Sequence, residues 1–322
     1  MTDYSDAINR AASAAPQDAP TPAPTMVQGR TLLVDADYLN YYAAGNDECS
    51  PGRARQNAIE KIDAFKAISG SERVVCHLTA PESNKGWRYA VATVKPYQGQ
   101  REGGRKPKNW RCLRDWFETY NGSQFHTQTW TDREADDGMA YHSQVLGPNL
   151  AVIATADKDM RMFSGIHIDW KTYDITHVPP GCFELVVPTG KMYGHKWFWQ
   201  QLLQGDTADN IPGLEKVRKP NGKFGPCGEK TAEKILLNTR DNADALNRVS
   251  AQYRGYYGRQ WADRLSEQAI LLWMRTDKQS DIADWLQMAP DNDELIQATL
   301  RHVEKVEQEL VNVQRLSTQD GA

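Results

Sequence analysis

From Thr31 to Thr155 the chain alternates short apolar runs with stretches of helical period, and this alternation leaves few folds open to it. Strand-type runs lie at Thr31-Leu32-Leu33-Val34, at Arg73 to Thr79, at Phe125 to Trp130 and at Leu150 to Thr155. Between them, Ile59, Ile62, Phe65 and Ile68 share one helical face, and Trp110, Leu113, Trp116, Phe117 and Tyr120 recur at helical spacing. A further helix is expected from about Arg133 to Val145, with Ala135, Met139, His142 and Leu146 in register. Strands and helices in alternation predict an α/β fold with a mostly parallel central sheet flanked by helices. From Trp197 onward the pattern is mainly helical and ends in a long amphipathic helix over Asp291 to Leu316.

Ahead of this region, residues 1–28 are rich in Ala, Pro, Ser, Thr and Gln and have no hydrophobic period, so a disordered tail is expected there. No apolar run approaches the ~18 residues of a membrane helix, and the N-terminal stretch has no apolar core of a secretion signal. Five dispersed cysteines without a CxxC pair argue against a disulfide framework and a structural zinc site. A reducing compartment is expected, hence the cytoplasm, or a host's cytoplasm for a viral chain.

Acidic residues gather where the expected strands end. Asp35 closes the first strand, and Asp157 and Asp159 follow the fourth. Glu134, Asp136 and Asp137 follow the third strand and open a helix, while Asp206 and Asp209 follow the helix that holds Trp197 to Leu203. In open parallel sheets, sites form outside the carboxyl ends of the strands. Crowded carboxylates resist joint ionisation, and divalent cations with oxygen preference, Mg²⁺ or Mn²⁺, resolve the repulsion. Paired ions can activate water and orient a phosphate, which points to phosphodiester hydrolysis. Each cluster also has a plain structural reading. Asp35 can cap a turn, and Thr131 to Glu134 fits a capping box with Thr131 as N-cap.

Net charge is −4, so nucleic acid would have to be met locally. Lys85 to Arg114 holds nine cations against the single anion Glu102. This stretch reads as a flexible basic arch in which Tyr97 and Trp110 stack on bases. Arg88, Lys95, Arg101 and Arg105 are its expected phosphate contacts. A second grip is expected at Gly228, Lys230 and Thr231, where a helix start offers backbone N–H groups to a phosphate.

The segments Leu33-Val34-Asp35-Ala36-Asp37, Arg133-Glu134-Ala135-Asp136-Asp137, Thr155-Ala156-Asp157-Lys158-Asp159 and Gly205-Asp206-Thr207-Ala208-Asp209-Asn210-Ile211-Pro212-Gly213 resemble, in this order, the acidic motifs of the flap-endonuclease/5′→3′ exonuclease family. Gly228-Glu229-Lys230-Thr231-Ala232 resembles the turn of its helix-three-turn-helix element, and the resemblance spans roughly residues 31 to 238. Length and the lack of a fused polymerase point to the stand-alone bacteriophage branch.

The resemblance implies a PIN-like 5′-nuclease core over residues 29–195 with the basic arch at 85–120. A helical DNA-binding region would follow over 196–322, with the helix-three-turn-helix at about 205–238. It implies two or more Mg²⁺ or Mn²⁺ ions held by Asp35, Glu134, Asp136, Asp137, Asp157, Asp159, Asp206 and Asp209. Asp35, Tyr97 and Arg101 would serve catalysis, and a monovalent cation would sit in the helix-three-turn-helix. The implied activity is 5′→3′ exonucleolytic hydrolysis of duplex DNA, with flap-endonuclease and RNase H-type action as extensions. A weakened DNA-binding module of the same fold and a PIN-like ribonuclease stay open. Two positions depart from the family pattern. The second strand lacks its terminal aspartate, with Glu82 as the nearest substitute, and Gln98 stands where a lysine is usual in Tyr97-Gln98-Gly99-Gln100-Arg101.

Overall fold

The computed structural model describes residues 25–101, 103–219 and 222–319, with side chains to residue 311. Six strands form the central sheet: β1 (Val27–Asp35), β2 (Ser71–Thr79), β3 (His126–Trp130), β4 (Ala151–Ala154), β5 (Gly165–Ile168) and β6 (Ile175–Val178). Their spatial order is β3-β2-β1-β4-β5-β6; the first five are mutually parallel and β6 is antiparallel. The chain winds from β1 outward to β3, then returns to the other side of β1 to place β4. The carboxyl ends of β1 and β4 therefore flank the point where the winding reverses, the place where such sheets open a crevice.

β1 begins at Val27, so Val27 and Gln28 belong to the sheet and not to the expected tail; residues 1–24 of that tail lie outside the described residues. The Val27 N–H donates to the Gly70 carbonyl at 2.9 Å, which extends the strand past its apolar part. Alternation along β1 splits the core in two. Leu33 joins one apolar cluster with Met139, Ile153 and Phe198, while Leu32 and Val34 join another with Leu39, Phe65 and Phe117.

Local signals fix the helices that carry the site. α1 (Ala36–Ala43) starts where the Asp35 carboxylate accepts the Tyr38 N–H at 2.9 Å. α2 (Pro51–Ser69) has Ser50 as N-cap, Pro51 in its first turn and Gly70 at φ +61° as its stop. α3 (Arg88–Val91) and α4 (Trp110–Glu118) are the helices of the basic segment, so the arch is two separate helices joined by turns. α5 (Ala135–Leu146) begins two residues later than expected. Its N-cap is Glu134 and the capping box is Glu134 with Asp137, in place of Thr131 with Glu134.

α6 (Lys196–Gln204), α7 (Glu229–Ile235), α8 (Asn242–Tyr257), α9 (Trp261–Leu272) and α10 (Asp293–Gln319) make up the helical region, with two short hairpins nearby. One apolar core runs from Leu33 in β1 through Trp197 to Val306 in α10. Polar ties reinforce this continuity: Arg133 donates to the Asp277 and Lys278 carbonyls, and Arg88 to those of Leu271 and Trp273. All five cysteines are free. Among the described residues no helix is long and apolar enough to cross a membrane.

Candidate metal and phosphate site

A crevice of about 550 Å³ opens at the carboxyl ends of β1 and β4, and Asp35, Asp37, Glu134, Asp136, Asp157 and Asp209 line it together with Gln98, Arg101, Lys158 and Arg161. Asp35 arrives from β1, Glu134 and Asp136 from the start of α5, Asp157 from the turn after β4, and Asp209 from the turn after α6. Gly205 and Gly213 build that last turn at φ +76° and +63°, with the Asp206 and Ile211 backbones bonded to one another across it. A Cβ on Gly205 would lie 2.4 Å from the Ile211 carbonyl oxygen, so only glycine fits this close approach.

The carboxylates differ sharply in their partners. Asp137 is fully buried and saturated: its two oxygens accept both Arg88 terminal nitrogens at 2.7 Å, the Arg275 N–H at 2.9 Å and the Glu134 N–H at 3.0 Å. Burial alone would push its carboxyl up, but Arg88 and Arg275 hold it below the usual carboxylate range. Asp137 lies near Glu134 and Asp136, close enough for the three to share one ion, while its own oxygens accept N–H groups of Arg88, Arg275 and Glu134. Asp37 is also committed. It accepts Arg114 at 2.7 Å and the Thr79 N–H at 3.1 Å.

Glu82 is exposed and does not line the crevice, so it is no substitute for the missing second-strand carboxylate. Asp37 instead reaches across from α1 to the end of β2 at Thr79.

Asp35, Asp136 and Asp157 are the residues left over. Asp35 accepts the Tyr38 N–H and the Thr155 hydroxyl, Asp136 the Asp137 N–H, and Asp157 the Asp159 N–H. None of the three has an ion-pair partner among the described residues. Burial, with the neighbouring Asp37, pushes Asp35 up to about 6. Burial outweighs the Asp159 N–H and Lys158 to push Asp157 up to about 6, with Asp209 and Asp35 adding repulsion. Burial and the charges of Asp137, Glu134 and Asp157 push Asp136 well above the usual range. Uncompensated, mutually repelling oxygen donors are a donor set that suits a hard divalent cation, so these residues fit such an ion.

Glu134 is held but not saturated. Tyr97 Oη donates to it at 2.6 Å, Gln98 Nε2 at 3.1 Å and Arg88 at 3.3 Å. Gln98 Nε2 also donates to Asp209 at 3.0 Å, and its carbonyl accepts Lys85 Nζ at 2.6 Å. The place of the expected lysine thus holds an amide that spans Glu134 and Asp209, with the Lys85 ammonium behind it. Lys85 and Gln98 both sit at positive φ, +51° and +53°, strained backbone that aims both side chains at Glu134.

A second acidic group, Asp159, Asp206 and Asp209, places carboxylate oxygens within 4.8 Å of one another. Lys158 lies inside it, with Nζ 2.7 Å from Asp206 and 3.2 Å from Asp159. Arg101 pairs with Asp209. Burial and Asp157 still push Asp159 well up against the pull of Lys158.

Several expected DNA contacts move. Arg88 is 3% exposed and locked to Asp137, and Tyr97 is 4% exposed and bonded to Glu134, so neither reaches a phosphate or a base. Both position carboxylates instead. Arg105 pairs with Asp47 on the surface, while Lys95 is exposed. Gly228 precedes α7, Lys230 is exposed, and the Thr231 hydroxyl accepts Lys219 Nζ at 3.3 Å.

Lys158, Lys85 and Arg161 were not singled out from sequence. Lys158 had a signal, its place between two motif aspartates. Arg161 had none: its guanidinium lines the crevice and an adjoining cavity, with no hydrogen bond or ion pair among the described residues.

No protein-family model matches the chain, and no curated protein is similar to it in sequence. Among solved structures, the T5 5′-exonuclease with bound zinc ions superposes with a TM-score of 0.54 at 17% identity, over 85% of this chain and 98% of that one. A bacteriophage T5 flap endonuclease in complex with DNA and metal ions gives a TM-score of 0.48 at 15% identity, over 86% and 99%. The first likeness establishes the fold.

Proposed function

For a chain with the fold of the flap-endonuclease/5′-exonuclease family, we propose a metal-dependent nuclease that hydrolyses phosphodiester bonds from the 5′ ends of DNA. The observation that carries this reading is the set of uncompensated carboxylates, Asp35, Asp136 and Asp157, facing one crevice whose rim carries Arg101 and Arg161. Asp35, Glu134, Asp136 and Asp157 would hold Mg²⁺ or Mn²⁺, which when bound neutralises a phosphate and acidifies a water.

The protein's own groups fix the ligands. Thr155 and the Tyr38 N–H orient Asp35, the Asp159 N–H orients Asp157, and Tyr97 with Gln98 orients Glu134. Arg161, whose side chain has no hydrogen bond or ion pair among the described residues, and Arg101, 54% exposed at its side chain, are the groups best placed to take a phosphate. The rim also exposes Tyr38 and Tyr41, whose ring faces suit unpaired bases near a strand end.

The test is a duplex labelled at its 5′ end, incubated with Mg²⁺ or with EDTA. Short labelled products with Mg²⁺ only, and their loss in Asp157→Ala by at least ~10³-fold, support the reading. Full-length label with retained DNA binding would place the chain with binding modules of this fold, a reading that the uncharged Gln98 favours. Preference for unpaired RNA would point to a PIN-like ribonuclease.

A further inference from the structure

Beside the crevice lies a second cavity of about 260 Å³, and the two share Ala156, Asp157 and Arg161 as a common wall. Their linings differ in character. The crevice gathers carboxylates, whereas the cavity adds Lys171, Lys191 and Tyr193 to Arg161. Three elements bring these groups together. The turn Asp159–Met162 after β4 carries Arg161, the turn after β5 carries Lys171, and the hairpin strand Met192–Tyr193 carries Tyr193. The Gly194 N–H donates to the Arg161 carbonyl at 2.9 Å and ties the hairpin to the first turn. Asp169 also lines the cavity but is committed: it accepts Lys191 Nζ and, at 2.9 Å each, the Lys171 and Thr172 N–H groups. Burial would raise its carboxyl, but these donors hold it below the usual carboxylate range. The Arg161 guanidinium, the Lys171 ammonium and the Tyr193 hydroxyl, by contrast, have no hydrogen bond or ion pair among the described residues. Tyr193 is 5% exposed, with its ring edge-on to His167 at 5.2 Å, yet its unpartnered hydroxyl is not enclosed by protein. Native structures rarely leave a buried polar group unpaired, and donors without acceptors around one cavity are a donor set for an anion.

We propose that this cavity is a subsite for the 5′-terminal phosphate of a DNA strand, held by Arg161, Tyr193 and Lys171 while a diester of the same strand lies in the crevice. The inference deepens the nuclease reading and rests on it for the use of the crevice. A phosphate monoester carries close to two negative charges near neutral pH, where a diester carries one. A guanidinium and an ammonium around one cavity therefore favour the end of a strand over its interior. Asp157 is the one uncommitted carboxylate on the shared wall, and a cation in the crevice would take up its charge. An anchored end also sets how far the scissile diester lies from it, so cleavage starts at the end and releases short products of one length.

The test compares two duplexes in Mg²⁺ that differ only in a 5′-phosphate or a 5′-hydroxyl on the cleaved strand, each labelled at its 3′ end. Wild type should cleave the phosphorylated end with a kcat/KM at least ~10²-fold higher. Tyr193→Phe removes one donor to a charged group and should cut that ratio by roughly tenfold. Lys171→Ala, at an exposed position, should lower the ratio as well. The ratio is taken within one variant, so a general loss of activity does not move it. Equal rates on the two ends of wild type overturn the proposal and leave the nuclease reading standing. An undiminished ratio in both variants does the same. Inorganic phosphate is the second probe, and it should slow cleavage of phosphorylated ends only. Slowing of both kinds of end in wild type, lost in Tyr193→Phe, would make the cavity a site for free phosphate and overturn its assignment to the strand end. Failure to cleave either duplex counts against the nuclease reading, and the cavity is then read from binding, by anisotropy of the two duplexes in Ca²⁺. Tighter binding of the phosphorylated duplex, lost in Tyr193→Phe, supports the subsite, and equal binding overturns it.

Discussion

Asp136 and Asp137 are adjacent in sequence, yet replacing each by Asn should move stability in opposite directions. Asp137 is 0% exposed, and its oxygens accept four N–H groups, two of them from Arg88, which is itself 3% exposed. Asn at this position removes the charge and turns an amide N–H toward the guanidinium. Breaking a buried ion pair costs about 3–5 kcal/mol, chiefly because the surviving charge stays buried. Glu134, 3.3 Å from Arg88, retains part of the compensation, which places the expected loss near ~3 kcal/mol. Against a total stability of roughly 5–15 kcal/mol this is a large fraction. Asp136 is the reverse case: burial and three neighbouring carboxylates disfavour its ionised form, so Asp136→Asn relieves repulsion and raises stability. The assay is urea unfolding in EDTA at pH 7.5, which removes any contribution from bound metal. With a urea slope of roughly 3 kcal/mol per molar, Asp137→Asn should lower the midpoint by about 1 M, while Asp136→Asn should raise it. Equal midpoints for the two variants would refute the division between a structural and a functional carboxylate.

Further outcomes follow from the same geometry. In EDTA, Asp35→Asn should gain on wild type as pH rises. The folded Asp35 carboxyl titrates near 6 against an ordinary 3.8, so wild type binds that proton more tightly when folded and loses roughly 3 kcal/mol between those values. Buried His77 and His167 push stability the other way in both proteins and cancel in the difference; a difference that stays constant from pH 4 to 7 would contradict the assignment. Gly205→Ala drives a Cβ to 2.4 Å from the Ile211 carbonyl oxygen at φ +76°, so the turn holding Asp209 must open. A loss of about 1–3 kcal/mol is expected, and a midpoint unchanged in urea would contradict it. Arg101→Ala should weaken DNA binding and lower the salt slope by about one phosphate contact, read by anisotropy at several salt concentrations; an unchanged slope removes Arg101 from the phosphate path.

Much of the fold was legible because period survives in the sequence. Four of the five parallel strands and α5 and α10 were expected within a few residues of their observed ends, and the buried face of α2 was legible, since Leu33, Phe65 and Met139 repeat at spacings that only one element type satisfies; β5 (Gly165–Ile168), four residues long, was missed. The basic segment was read less well. Nine cations against one anion suggested a free positive arch, but the partners lie far away in sequence. Arg88 pairs with Asp137, Arg114 with Asp37 and Arg105 with Asp47. A count of local charge has no access to such pairings.

The same limit governs the site. Sequence position could gather the acidic residues at strand ends, because chain direction alone decides which end of a parallel sheet they reach. It could not say which of them stay ionisable and unpaired, because that depends on where arginines and lysines arrive from elsewhere. Asp136 and Asp137 stand side by side in one motif, yet Arg88 and Arg275 reach only Asp137. Asp157 and Asp159 are likewise a pair in sequence, yet Lys158 turns from the first toward the second and on to Asp206. In each pair the fold gives one member an ion-pair partner and leaves the other in a poorly solvated crevice without one. The uncompensated members converge, and their mutual repulsion is the property that makes the crevice receptive to a cation.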